Sequence, residues 1–68
     1  MAGEAKFKAI KKRLEALGYE LVRVRGSHHI FDKPYAYPVS IPVHGNKVKP
    51  AYVRMVEKLE QAEQDGDE

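Results

Sequence analysis

An α+β domain in the order helix, strand, strand, strand, helix follows from three patterns in this 68-residue chain. Apolar residues recur at helical spacing near both ends. The stretch between them alternates with period two. Gly or Pro marks each boundary. A three-stranded antiparallel sheet with one face packed under both helices buries all of these apolar sets in a single layer.

The first helix is predicted over about residues 4–17. Phe7, Ile10, Leu14 and Leu17 share one face, while Lys8, Lys11 and Lys12 lie mainly off it. Gly18 follows the last apolar residue, where a left-handed cap ends many helices. A first strand is expected over about 19–25, with Val22 and Val24 pointing one way and Arg23 and Arg25 the other. Gly26-Ser27 is a tight-turn candidate. The second strand, about 28–33, places His28 and Ile30 on one face and His29 and Phe31 on the other. Residues 34–37 form a turn, because Pro34 cannot continue a central ladder. A third strand over about 38–43 sends Val39, Ile41 and Val43 to one face and Ser40 to the opposite one. Residues 44–47 read as a loop. Pro50 suits the first turn of a helix, whose N–H groups have no partner in any case. That second helix, about 50–63, carries Tyr52, Val53, Val56 and Leu59 on its apolar face. The domain is therefore taken as 1–63, with 64–68 an acidic tail expected to fray.

Size and composition narrow the function. One small domain has no room for a second, substrate-binding one, and buries only about 60% of the surface its unfolded chain exposes. Without cysteine there is neither a disulfide framework nor a thiolate metal site. No apolar stretch approaches the roughly 18 residues of a membrane helix and no signal-peptide core is visible, so a cytoplasmic protein is expected. Charge is unevenly spread. Residues 1–56 hold eleven basic and four acidic residues, a net +7; residues 57–68 hold one lysine against six acids, a net −5. A basic body attracts polyanions, although solvated surface charge is an equal reading of the same excess.

The run Arg25-Gly26-Ser27-His28-His29 carries the chemistry. RNA supplies its own nucleophile, the 2′-hydroxyl. Its cleavage needs a base for that proton, an acid for the leaving 5′-oxygen and cations for the charge growing on phosphorus. A histidine near neutral pH does the first two, and lysine or arginine the third. If Phe31 faces the helices, His29 goes inward with it and His28 stands on the open face beside Arg23 and Arg25. His28 is then either a proton carrier or an ordinary exposed strand residue. His29 reads as structural, hydrogen-bonding within the fold. His44 is a second proton carrier, a phosphate contact or a plain loop residue. Adjacent strand histidines point to opposite faces and cannot chelate one ion without a bulge, so neither a metal nor another cofactor is expected. Ser27 lacks the flanking glycines of a nucleophile elbow and reads as a turn residue that bonds backbone or phosphate. Lys47, Lys49 and the lysines of the first helix are phosphate contacts or solvated charge. Tyr35 and Tyr37 are turn aromatics able to stack on an unpaired base.

These motifs together resemble the HicA (YcfA-like) toxin family of bacterial and archaeal toxin–antitoxin systems. The resemblance covers about residues 6–60. It rests on Leu17-Gly18-Tyr19, Leu21-Val22-Arg23, Gly26-Ser27-His28-His29-Ile30-Phe31, Val39-Ser40-Ile41-Pro42 with His44, and Lys49-Pro50. It implies a fold similar to double-stranded-RNA-binding domains. It also implies an mRNA-cleaving toxin, a metal-independent endoribonuclease held inactive by a HicB-like antitoxin. The family's catalytic histidine follows Gly-Ser and maps onto His28; no catalytic role carries over to His29 or His44. Arg23, Arg25, Ser27, Lys47 and Lys49 are the residues expected to contact RNA. The chain departs from the family in the segment Asp32-Lys33-Pro34-Tyr35-Ala36-Tyr37, which lacks the more usual basic His-Pro-Asp-Gly turn, and in its acidic tail. Two other readings stay open: an RNA-binding module without catalysis, and a decayed toxin that only binds its antitoxin.

Overall fold

A computed structural model describes residues 3–65. The chain runs β1 (Ala5–Lys6), α1 (Phe7–Ala16), β2 (Glu20–Arg25), β3 (His28–Asp32), β4 (Val39–Pro42), β5 (Lys47–Val48) and α2 (Pro50–Asp65). The expected α+β order of helix, three-stranded antiparallel sheet and helix is present, in the sheet order β2-β3-β4. Both helices pack on one face of that sheet. Ile10 and Leu14 of α1 meet Val53 and Val56 of α2 over Phe31, Val39 and Ile41 of the strands. Phe31 is the largest fully buried side chain, and its inward direction fixes which face of β3 is open.

One element was not foreseen. Ala5 and Lys6 are extended and pair antiparallel with Val48 and Lys47, so α1 begins at Phe7 rather than at about residue 4. A two-residue pair is too short to show a period. Its Val48 is completely buried and belongs to the core. The expected loop at 44–47 is a tight hairpin. Gly45 and Asn46 both take positive φ, and His44 and Lys47 exchange N–H···O bonds of 3.0 Å, the pattern of a type I′ turn. Strand bounds shift by a residue at several ends, as expected for short strands. At the far end, α2 continues to Asp65, two residues beyond the expected stop. Positions 66–68 of the acidic tail lie outside the described residues.

The end of α1 is built as its sequence suggested. Leu17 caps the helix, the Gly18 N–H donates to the Glu15 carbonyl and the Tyr19 N–H to the Leu14 carbonyl, both at 3.0 Å. This Schellman pattern needs a left-handed residue at Gly18, whose φ is +96°. Tyr19 and Leu14 are both buried, the apolar contact that accompanies such a cap. The two helices are tied by a forked ion pair. Arg13 Nε donates to Glu60 Oε2 at 2.9 Å and its Nη2 donates to Oε1. That hydrogen bonding holds the Glu60 carboxyl below the usual carboxylate range and raises the Arg13 guanidinium, with burial opposing both.

Candidate active site

Strand β2 contains a β-bulge that decides what the open face displays. Leu21 lies opposite Phe31, yet Arg23 lies opposite Ile30, so one extra residue sits between them. Simple alternation would turn Arg23 inward with Leu21. The bulge lets Leu21 pack on the core while Arg23 and Arg25 face outward. It also breaks the expected pairing of Val22 with Val24. Val24 stands opposite His29 on the helix side, whereas Val22 occupies the bulge.

The β2–β3 turn is Gly26-Ser27, with Gly26 at φ +58°, as a type II′ hairpin requires at its first central position. The turn brings Arg25 directly opposite His28. On the other side His28 pairs with Pro42, and Ile30 with Ser40. Residues opposite one another share a face. The open face therefore carries one row of Arg25, His28 and Pro42 and a second of Arg23, Ile30 and Ser40. His28 is exposed, and its Nδ1 lies 3.5 Å from Ser40 Oγ, the outer limit of a hydrogen bond. Glu20 and Asp32 are opposite each other at the far end of the same face. The sheet surface is thus basic around His28 and acidic about 13 Å away, four residues along β3.

His29 turns the other way. It is half-buried, its Nδ1 is 3.2 Å from the Ser27 carbonyl, and its ring centroid is 4.5 Å from that of Phe7. The structural reading of His29 agrees with these contacts. Ser27 itself is half-buried, and its carbonyl also accepts the Val43 N–H at 2.8 Å. That bond ties the end of β4 to the turn before His28.

Three of the basic candidates are not gathered at one place with the others. Arg23 and Arg25 share the face of His28. Lys47 instead lies in the β1–β5 pair, opposite Lys6. Lys49 precedes α2, where its carbonyl accepts the N–H groups of Tyr52 and Val53. His44 is exposed at the β4–β5 hairpin and, among the described residues, hydrogen-bonds through its backbone. Ser40 is the residue the sequence did not single out. Period two placed it opposite in direction to the core residues Val39 and Ile41, but its closeness to His28 depends on the β3–β4 register. Among the described residues, no cluster of three or more His, Asp or Glu side chains is placed to hold a metal ion. Among them, too, no helix is long and apolar enough to cross a membrane.

No curated protein and no solved structure matches the chain. A family model does, and it describes the HicA toxin of bacterial toxin–antitoxin systems, matching residues 7–64. That span begins with α1 and takes in the main sheet, the His28 face and nearly all of α2. With most of its length accounted for in this way, the chain belongs to the HicA toxin family.

Proposed function

We propose that this toxin-family chain is a metal-independent endoribonuclease that cleaves mRNA in the cytoplasm, using His28 as its catalytic histidine. The observation that carries the reading is the placement of His28: exposed on the open sheet face, across from Arg25 and within reach of Ser40. His28 takes the proton of a ribose 2′-hydroxyl. The 2′-oxygen attacks the adjacent phosphorus, the bond from phosphorus to the 5′-oxygen breaks, that oxygen takes a proton from water, and His28 returns its proton to solvent. The products are a 2′,3′-cyclic phosphate and a free 5′-hydroxyl. Arg25 and Arg23 hold the non-bridging oxygens as negative charge builds, and the Ser27 hydroxyl is a further contact to the backbone of the RNA. With Nδ1 turned toward Ser40, Nε2 is the nitrogen that exchanges the proton.

The partner that restrains the activity is a HicB-like antitoxin, which covers the His28 face and meets its arginines with acidic groups. The direct test is incubation of the purified chain with long RNA in EDTA. Fragments ending in a cyclic phosphate support the nuclease. A shifted but intact RNA supports a binding module instead, since the basic open face serves binding equally well. Neither fragments nor a shift leaves only the antitoxin-binding role.

A further inference from the structure

A second basic surface lies on the helix side of the same sheet end. Lys6, Lys8, Lys11 and Lys47 line a hollow of about 550 Å³ around Phe7, a size within the range of small-ligand sites. Lys6 and Lys47 are register partners across the β1–β5 pair, and like charges held opposite one another are destabilising. Among the described residues the ion pairs involve Arg13 and Lys33, not these four lysines, and the first turn of α1 carries no acid. A polyanion seated in the hollow would oppose this repulsion.

The hollow is also joined to the His28 site. His28 and His29 are consecutive residues of β3 and point to opposite faces. His29 packs at a tilt against Phe7, a lining residue of the hollow, while His28 stands on the open face with Arg25. Two cationic surfaces thus flank the same strand end, separated by the Gly26-Ser27 turn and the segment from Val43 to His44.

We infer that the four-lysine hollow binds the phosphodiester backbone of the same RNA strand that His28 cleaves, with the strand bending round the sheet end between the two surfaces. A cationic rim around an apolar floor suits a nucleotide, whose phosphates meet the lysines and whose sugar and base cover Phe7. A flexible single strand can follow this path. The inference rests on the nuclease reading, from which it takes its ligand.

The test measures binding of 2′-O-methylated poly(U), which lacks the attacking hydroxyl, by fluorescence anisotropy between about 50 and 200 mM salt. The chain is compared with a Lys6→Gln/Lys8→Gln/Lys11→Gln variant and with an Arg23→Gln/Arg25→Gln variant, each checked for folding by circular dichroism. On a single strand each lost phosphate contact lowers the slope of log affinity against log salt by about 0.7. The expected result for the triple variant is therefore a slope smaller by about 2 units. An unchanged slope in the triple variant overturns the hollow. If the arginine variant then loses slope, the RNA reading of the sheet face survives alone. If the parent binds with no salt dependence, both fail together.

Discussion

At the residue scale, the open face depends on one imidazole and the groups that orient it. Ser40 is a positioning residue in this account, because it touches His28 rather than the reacting atoms. A hydrogen bond contributes about 0.5–1.5 kcal/mol, so Ser40→Ala should slow RNA cleavage by up to about tenfold. Ser40→Thr, which keeps a hydroxyl, should restore most of the rate while Ser40→Ala stays low. A pH–rate profile separates orientation from folding, since a merely structural role would leave its shape unmoved. The outward direction of His28 was legible in the sequence, because Phe31 had to face the core and period two did the rest. Its partnership with Ser40 was not. That contact depends on the register between β3 and β4, which residues 33–38 set through a turn whose geometry the sequence states poorly. Arg23 shows a different limit. Alternation counted from Val22 and Val24 pointed it outward, whereas alternation counted from Leu21 points it inward, and the bulge that resolves the two left no mark on the pattern.

At the element scale, that β3–β4 turn is strained. The Ala36 N–H donates to the Lys33 carbonyl at 3.2 Å, Pro34 takes the second position and Tyr35 the third, with φ +65°. A type II turn demands positive φ there and prefers Gly or Asn. A bulky residue in the left-handed region costs about 1–2 kcal/mol, and the Tyr35 side chain is fully exposed, so burial does not repay it. Tyr35→Asn should therefore stabilise the fold by up to about 1 kcal/mol, raising the melting temperature by about 4–8 °C per kcal/mol. Thermal melts of the two proteins check this. Pro34 announced the turn, but the mismatch at Tyr35 depends on a turn type that Pro34 alone does not choose. The clamp between α1 and α2 responds to acid. Because Arg13 lowers the pKa of Glu60, its stabilisation is present above the ordinary carboxylate range and is lost as pH falls through the lowered value. Both side chains are about one-third exposed, so the effect is small. Glu60→Gln should cost under about 1 kcal/mol at neutral pH. Denaturant melts over a pH series should show the difference between variant and parent closing in acid. The short β1–β5 pair lay beyond the reach of periodicity, which needs more than two residues to appear.

At the scale of the whole molecule, two layers span 15 Å in the shortest direction, so one face of the sheet is left uncovered. A chain of this size has about 3–10 kcal/mol of total stability at typical values per residue. Leu14, in the last turn of α1, is completely buried and its carbonyl accepts the Tyr19 N–H of the cap, and Leu14→Ala should cost about 2–5 kcal/mol. Circular dichroism at 37 °C should show that variant largely or partly unfolded. The overall order of elements was readable because each long element carries its own apolar period. The gathering of Arg23, Arg25 and His28 was readable from period two once Phe31 was taken to face the helices. The separation of Lys47 and Lys49 from them was not, because it follows from tertiary placement. Nuclease activity stands or falls with His28, and the rate of RNA cleavage by His28→Ala beside the parent, with melting curves of both, decides it. Unchanged melting and a rate lower by about 100- to 10,000-fold, the usual contribution of a general acid–base group, are expected; cleavage at the parent's rate by the folded variant would show that His28 is not the catalytic group.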